Sequence, residues 1–439
     1  MPNDKYLQKL GAQIARAMLI GRKPNQKGLA QAAKIFPRIK AIAQKYDGKK
    51  LDEKQLKQMG LTSEKIAKLL KPDFGPVLVK KGKQFVLRST IGESVRLRYH
   101  PDNWPLAKHI IIESAKRGAS VWHTPGSSEF AREYTQKASL DVLEDFTPLS
   151  KAVMENLDVT IYLEDDDDPE WRKGLPTARL TAGREKGQRS HEILDERKVR
   201  WLYTGWPFAK TARKLGCTPS FFEKMLFSAL EESFSKSTAA LVGYYSKALQ
   251  GANLMRLRHD DGSDLAFSIK GRPILRDLGK IGQHDLDIGD VGLNLPSGEV
   301  FVSPLETTAE GHVYFPKIFV DGHGFTEGLT LNFKKGKVES YSAERKQENF
   351  DKYLAENTPS TRVLAELGIG CNRAAKYSGY ILTDEKIFGT IHLAIGNNTG
   401  SYHGKNKASG HLDMVKDMKH GVMYADGKPV MVGGKPVER

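Results

Sequence analysis

The strongest constraint on this chain is a change of pattern partway along it. Between residues 76 and 245, short apolar runs alternate with stretches whose apolar residues recur at helical spacing. KQFVLRST, ASVWH, LDVTIYLE and KVRWLYTG read as strands. WPLAKHIIIESAKRG, closed by Gly118, and PSFFEKMLFSALEES read as helices. Strands separated by helices specify a mainly parallel sheet with helices packed against it. From 246 to 439 the helical spacing nearly disappears. Strands succeed one another there through tight turns at Asp260–Gly262, Lys335–Gly336 and Asp426–Gly427. The expected fold is an α/β N-terminal half with a mainly parallel sheet, joined to an antiparallel, β-rich (α+β) C-terminal half. Residues 1–75 read as a short helical N-terminal extension, ending in LTSEKIAKLL with Thr62 or Ser63 as its cap. A chain of 439 residues is long for one core, in keeping with this division.

Several classes of function are set aside by what the sequence lacks. No apolar run approaches the roughly 18–20 residues that span a bilayer, and the first residues lack the core of a signal peptide. Two cysteines, Cys217 and Cys371, cannot build a disulfide framework or a four-sulfur zinc site. The expectation is a cytoplasmic protein without a membrane partner. Net charge of +15 raises nucleic acid as a partner. The lysines are scattered in short clusters (Lys49–Lys50, Lys80–Lys81–Lys83, Lys334–Lys335–Lys337), with no basic helix interleaved with aromatics and no zinc-finger spacing. The expectation is therefore that nucleic acid is not a partner. No glycine-rich phosphate loop comes after any strand, and neither cysteine nor any serine sits in a nucleophile motif.

The chemistry concentrates near the end of the chain. In His411-Leu412-Asp413 an imidazole and a carboxylate stand two residues apart, so on a strand both face one side. Such donors suit a divalent metal, although an isolated pair of this kind is commonly a surface hydrogen bond. His392 interrupts the apolar strand TIHLAI, where its alternative is a core histidine bonded to backbone. Glu299, in NLPSGEVFVSP, and Glu366, in LAELGIGCN, are acids in apolar company, a costly place for a charge without a cation or donor. Together these five residues make a ligand set for two divalent ions, which would activate water to hydrolyse an amide or ester. His403 reads as a loop histidine, Glu385 as a turn residue, and the acidic run Glu164–Glu170 as a solvated turn.

At these residues the sequence resembles the thermophilic metallo-aminopeptidase family of the aminopeptidase T and aminopeptidase S type. The stretches that carry the resemblance are DLAFSIKGR, NLPSGEVFVSPLE, LAELGIGCN, LTDEKIFGTIHLAIG and HLDMV, in order over residues 250 to 415, with VRWLYTGWP as a weaker match. The resemblance implies that Glu299, Glu366, His392, His411 and Asp413 hold the metals, zinc, cobalt or manganese, and that Glu366 bridges them or takes a proton from water. It also implies peptide substrates and a homodimer enclosing the active sites. The family uses a tyrosine shortly after the strand histidine. Here Thr399 stands at the usual offset and Tyr402 three residues later, so either Tyr402 moves in or the site lacks its phenol.

Two other readings remain. The ring-cleaving dihydroxypyridine dioxygenases resemble the same fold, and His392, His411 and Asp413 alone would make a two-histidine, one-carboxylate site for Fe(II). Glu299 and Glu366 argue against that reading. A non-catalytic, basic nucleic-acid-binding protein is the third reading, and the intact ligand set argues against it.

Overall fold

Residues 2–70, 77–320 and 322–437 are described here, from a computed structural model of the chain. Three of the apolar runs, ASVWH, LDVTIYLE and KVRWLYTG, join Ser94–Tyr99 and, from the second half, Gly292–Leu295 in a five-stranded, all-parallel sheet. Its order is Gly292–Leu295, Arg200–Thr204, Val159–Leu163, Ser94–Tyr99, Ser120–Pro125. Its central strand, VTIYL, is buried along nearly its whole length, because helices cover both faces of a parallel sheet. One covering helix is Trp104–Lys116. Another is Asp4–Ala17, whose Leu7, Leu10 and Ile14 fall on one face and share a core with Val95, Leu97 and Ile110. The two helices lie close: a side chain at Gly11 would meet His109 Cβ at 2.8 Å.

The region expected as a helical extension therefore divides. Its first helix belongs to the core of the parallel sheet. The chain then leaves through Arg22–Pro24 and comes back through Thr90–Gly92, which pair antiparallel. Residues 25–70 and 77–89 form an inserted module around a core of their own that includes Leu29, Phe36, Ile39, Leu56, Ile66 and Phe85. The run KQFVLRST contributes Gln84–Leu87 to this module's three-stranded sheet, with Lys50–Leu51 and Leu78–Lys81 as neighbours.

The second half is a sandwich of two antiparallel sheets. One has eight strands in the order Lys337–Ser342, Gly324–Lys334, Glu310–Val320, Asp264–Ser268, Leu254–His259, Gly421–Ala425, Lys428–Val432, Lys435–Pro436. The other has five strands: Leu275–Asp277, Glu299–Val302, Leu364–Gly370, Thr390–Gly396 and His411–Asp417. Met255, Phe267, Phe315 and Leu329 of the larger sheet pack against Val300, Leu367, Ile369, Leu393 and Met414 of the smaller. Helix Lys236–Leu249 adds Tyr245 and Leu249 to that core. The two halves are joined tightly, since Gly292–Leu295 is an edge of the parallel sheet and Glu299 already starts a strand of the five-stranded one.

The five-stranded sheet has two unlike faces. Alternation sends Val300, Leu367, Leu393 and Leu412 into the sandwich, so their neighbours Glu299, Glu366, His392 and His411 face the opposite side. A bulge between Leu364 and Glu366 absorbs one residue, so that Leu364 faces the core although Glu366, two residues on, faces the opposite side.

Candidate metal centre

Glu299, Glu366, His392, His411 and Asp413 come from four adjacent strands and converge on that outer face. Glu366 lies between two imidazoles, with Oε1 at 3.3 Å from His392 Nε2 and Oε2 at 3.1 Å from His411 Nε2. His392 Nε2 is also 3.8 Å from Glu299 Oε2, and His411 Nε2 is 3.4 Å from Asp413 Oδ1. The register explains the fit of His392. Gly368 stands directly opposite, and the imidazole lies over its bare Cα, in space a Cβ would fill. His411 is oriented from behind, since its Nδ1 lies 2.8 Å from the carbonyl of Asn397 and donates to it. That bond uses the Nδ1 proton, so Nε2 is the ring atom that faces the carboxylates, donating to Glu366 while protonated and available to a cation once that proton is lost.

Two further residues join the cluster. Glu385 comes directly after a one-turn helix, Ile381–Asp384, and its carboxylate lies with Glu299 and His392 in one group whose ligand atoms are within 4.8 Å of one another. Glu366, His392 and Asp413 form a second such group, so His392 is shared by both. Lys386 is fully buried and donates to Glu299 at 2.5 Å and to Glu385 at 2.6 Å. Glu385 reads in the sequence as a turn residue; its place in the cluster follows from the fold, which buries Lys386 beside it against the two carboxylates.

The electrostatics fit a cation site. Burial alone would neutralise Glu366, yet hydrogen bonds and charge from His392 and His411 hold its carboxyl well below the usual range. Burial likewise opposes the charged form of His392, but Glu366 and Glu299 raise it. Burial pushes Glu299 up against the pull of Lys386. The cluster thus favours positive charge in its midst. Buried donor atoms point the same way: Glu299 Oε2, Asp413 Oδ1 and His392 Nδ1 have no hydrogen-bond partner among the described residues. Carboxylate oxygens and imidazole nitrogens left without donors are what a divalent ion completes.

Tyr402 lies at the end of a short turn, Gly400–Tyr402, and turns inward. Its ring stacks on His411 with centroids 5.7 Å apart and meets Phe301 edge-on. Burial, together with the charges of Glu366, Asp413 and Glu299, raises its phenol well above the usual value. His403 is exposed and turned away, its ring 3.3 Å from the Ile288 carbonyl. The polar loop around it is fastened by two amides. Buried Asn398 donates to Ser303 and Glu306, and Asn406 donates to the carbonyls of Ser360 and Gly396.

A cavity of about 290 Å³ opens beside His411 and Asp413, between the two halves of the chain. Trp206, Leu215, Phe319, Ile381 and Leu412 give it apolar walls, and Glu164 and Tyr380 also line it. Only part of the acidic run is therefore a solvated turn. The Glu164 carboxylate is partly buried and accepts from the phenols of Tyr203 and Tyr380, which come from distant parts of the sequence.

Comparison with known proteins points the same way. The sequence pattern of the thermophilic metalloprotease (M29) family matches residues 73–435. Aminopeptidase AmpS of Bacillus subtilis (strain 168) is 23% identical over 396 residues, spanning 80% of this chain and 92% of that protein. Among solved structures, wild-type AmpT from Thermus thermophilus superposes with a TM-score of 0.62 at 19% identity, over 79% of this chain and 95% of that one. The 2,5-dihydroxypyridine dioxygenase of Pseudomonas putida KT2440 gives 0.54 at 17% identity, over 79% and 92%. At such identities these two structures speak to the fold alone.

Proposed function

Because the chain belongs to the thermophilic metalloprotease (M29) family, we propose that it is a metallo-aminopeptidase that removes N-terminal residues from peptides at a site for two divalent ions. The observation that carries this reading is the Glu366 carboxylate set between His392 and His411, each of its oxygens facing a different imidazole. One carboxylate with ligands on both flanks suits a pair of ions a few ångströms apart. Glu299, Glu385 and His392 would hold one ion, and Glu366, His411 and Asp413 the other. Zinc, cobalt and manganese all suit this donor set. Bound ions would supply Lewis acidity and a water of lowered pKa.

The remaining roles fall to the chain's own side chains. Glu366 is placed to receive the proton of the attacking water and return it to the departing amine. The Tyr402 phenol, kept protonated by its acidic surroundings, is placed to donate to the oxygen that gains charge as the carbonyl is attacked. The apolar cavity beside His411 and Asp413 is suited to the side chain of the N-terminal residue. Lys386 holds Glu299 and Glu385 apart from solvent and in position. The mononuclear iron reading would leave Glu299 and Glu385 with no cation but Lys386.

Assembly as a homodimer and a cytoplasmic setting complete the proposal. Both rest on the family likeness, and light scattering on the purified protein tests the first. Among the described residues no helix is long and apolar enough to cross a membrane. The activity itself is tested by dialysis against a chelator. Hydrolysis of amino-acid p-nitroanilides should disappear and return with Co²⁺, Zn²⁺ or Mn²⁺. Full activity in the metal-free protein would overturn the assignment.

A further inference from the structure

The inserted module carries a charge out of proportion to its size. Residues 25–89 hold 16 of the chain's 68 Lys and Arg but 5 of its 53 Asp and Glu. About a seventh of the sequence thus carries eleven of its fifteen excess positive charges. Charge alone would say little, but the module's topology says more. After helices Gln26–Ile35 and Ile39–Lys45 come a short strand, Lys50–Leu51, then helices Glu53–Gln58 and Ser63–Leu69, and finally the hairpin Leu78–Lys81 and Gln84–Leu87. The short strand pairs with the second hairpin strand. This is the order and pairing of a winged helix-turn-helix.

Each part is written in the sequence. Asp52 and Gln55 cap the first helix of the pair reciprocally. The connection Met59–Thr62 turns at Gly60, whose φ of 92° lies in the left-handed region that glycine tolerates. Thr62 caps the second helix by accepting from the Lys65 amide. Leu56, Leu61, Ile66 and Leu69 are buried beneath, which leaves Lys54, Lys57, Ser63, Ala67 and Lys68 exposed. The only acids on the two helices, Glu53 and Glu64, are paired with Lys57 and Lys68. The hairpin turn exposes Lys80, Lys81 and Lys83.

We propose that the module of residues 25–70 and 77–89 binds double-stranded DNA, whose major groove, unlike that of an RNA helix, admits an α-helix. Helix Ser63–Leu69 enters the major groove, and the Lys80–Lys83 turn meets the adjacent phosphates. In helix-turn-helix proteins the second helix of the pair reads the groove, while surrounding lysines supply affinity from the phosphate charge. Single strands fit less well, because they need exposed aromatic rings to stack on. Among the module's described residues, Phe36 and Phe85 are buried and the Tyr46 ring is covered by Lys45 and Lys49. The proposal reverses the expectation from sequence, where these lysines looked scattered because the fold that gathers them was not visible. It stands independently of the peptidase reading.

Fluorescence anisotropy with the full-length chain and a fluorescein-labelled DNA duplex of about 30 base pairs, from 50 to 200 mM KCl, tests it. Binding should weaken steeply with salt. Replacing Lys80, Lys81 and Lys83 together by Ala should lower affinity tenfold or more at 100 mM KCl and reduce the log–log salt slope by about 3, one for each phosphate left without its lysine. Replacing Lys54, Lys57 and Lys68 should act likewise. Replacing Lys334, Lys337 and Lys352, exposed on the other half of the chain, should change affinity less than twofold. All three variants should keep their melting temperature and p-nitroanilidase activity. Absence of binding at 50 mM KCl, an equal loss in the control variant, or tighter binding to a single strand of the same length would each overturn the proposal.

Discussion

Gly368→Ala changes one hydrogen to a methyl group and tests whether the site depends on sheet register. Gly368 pairs with His392 across the sheet, and a Cβ there would lie well under 3.0 Å from Cε1 and Nε2 of the imidazole. Side chains do not tolerate such an approach, so the ring has to move by about 1 Å or more. His392 is fully buried on a strand whose every residue is buried, so the ring has little room to yield. Overpacking of this kind costs roughly 1–3 kcal/mol. The chemical effect is larger. Glu366 sits 3.3 Å from His392 Nε2, and misplacement by about 1 Å in a catalytic cluster costs on the order of 10²-fold in rate. The assay is kcat/KM on a leucine p-nitroanilide with metal in excess, beside a thermal melt at the same metal concentration. A drop of about 10²-fold with most of the protein still folded is expected. Gly183→Ala, within helix Thr177–Glu196 with nothing near its Cβ, serves as control and should leave activity unchanged. Near-normal kcat/KM for Gly368→Ala would refute the argument that this glycine makes room for a ligand.

Three further outcomes are expected from the geometry. Glu366→Gln keeps shape and removes charge, and kcat should fall on the order of 10²-fold or more, the usual cost of losing a general base; a kcat near the wild-type value contradicts its assigned role. Tyr402→Phe removes the phenol but keeps the ring on His411 and Phe301, so kcat should fall at both limiting and saturating metal with an unchanged melt. Rescue by excess metal would instead mark the phenol as a ligand. Away from the site, Asp261 meets the buried ammonium of Lys416 at 2.5 Å. Burial opposes its charge, but Lys416 and Ser263 pull its carboxyl from 3.8 down to about 2. Because the folded-state value lies below the unfolded one, the stabilisation is present above about pH 4 and is lost as pH falls through about 2. Asp261 is itself exposed, so solvent screens the pair, and Asp261→Asn should cost about 1 kcal/mol at pH 7, less than the unscreened figure of roughly 1.4 kcal/mol for each pH unit that separates the folded and unfolded values. Denaturant titrations should show that difference closing between pH 4 and 2, and a difference independent of pH would assign it to something other than the charge.

The two-part fold was legible because both periodicities are strong. The central parallel strand is a near-continuous apolar run set among helices, and the β-rich half is punctuated by Gly-containing turns. The ligand strands were legible for a related reason: Glu299, Glu366 and His392 are polar residues in runs that are otherwise buried. The features that could not be read depended on segments distant in sequence. Glu385 and Lys386 look like turn residues until the end of the helix Ile381–Asp384 is aimed at Glu299, 87 residues from Lys386. Glu164 looks solvated until Tyr203 and Tyr380 close over it. The inward turn of Tyr402 depends on a loop whose path is fixed by Asn398, Glu306 and Asn406, and no local propensity encodes that path. The winged module was hidden for another reason. Of its strands only Gln84–Leu87 registers, within KQFVLRST, and that run reads as part of the parallel sheet; Lys50–Leu51 and Leu78–Lys81 are too short for alternation to register.

The central claim is a dinuclear hydrolytic site, and metal stoichiometry tests it most directly. Elemental analysis should be run on protein reconstituted from the chelated state, with hydrolytic activity followed across the same titration. The account predicts that activity reaches its plateau at two equivalents of zinc, cobalt or manganese per chain. A plateau at one equivalent, or one tightly held iron per chain with no peptide hydrolysis, would contradict it.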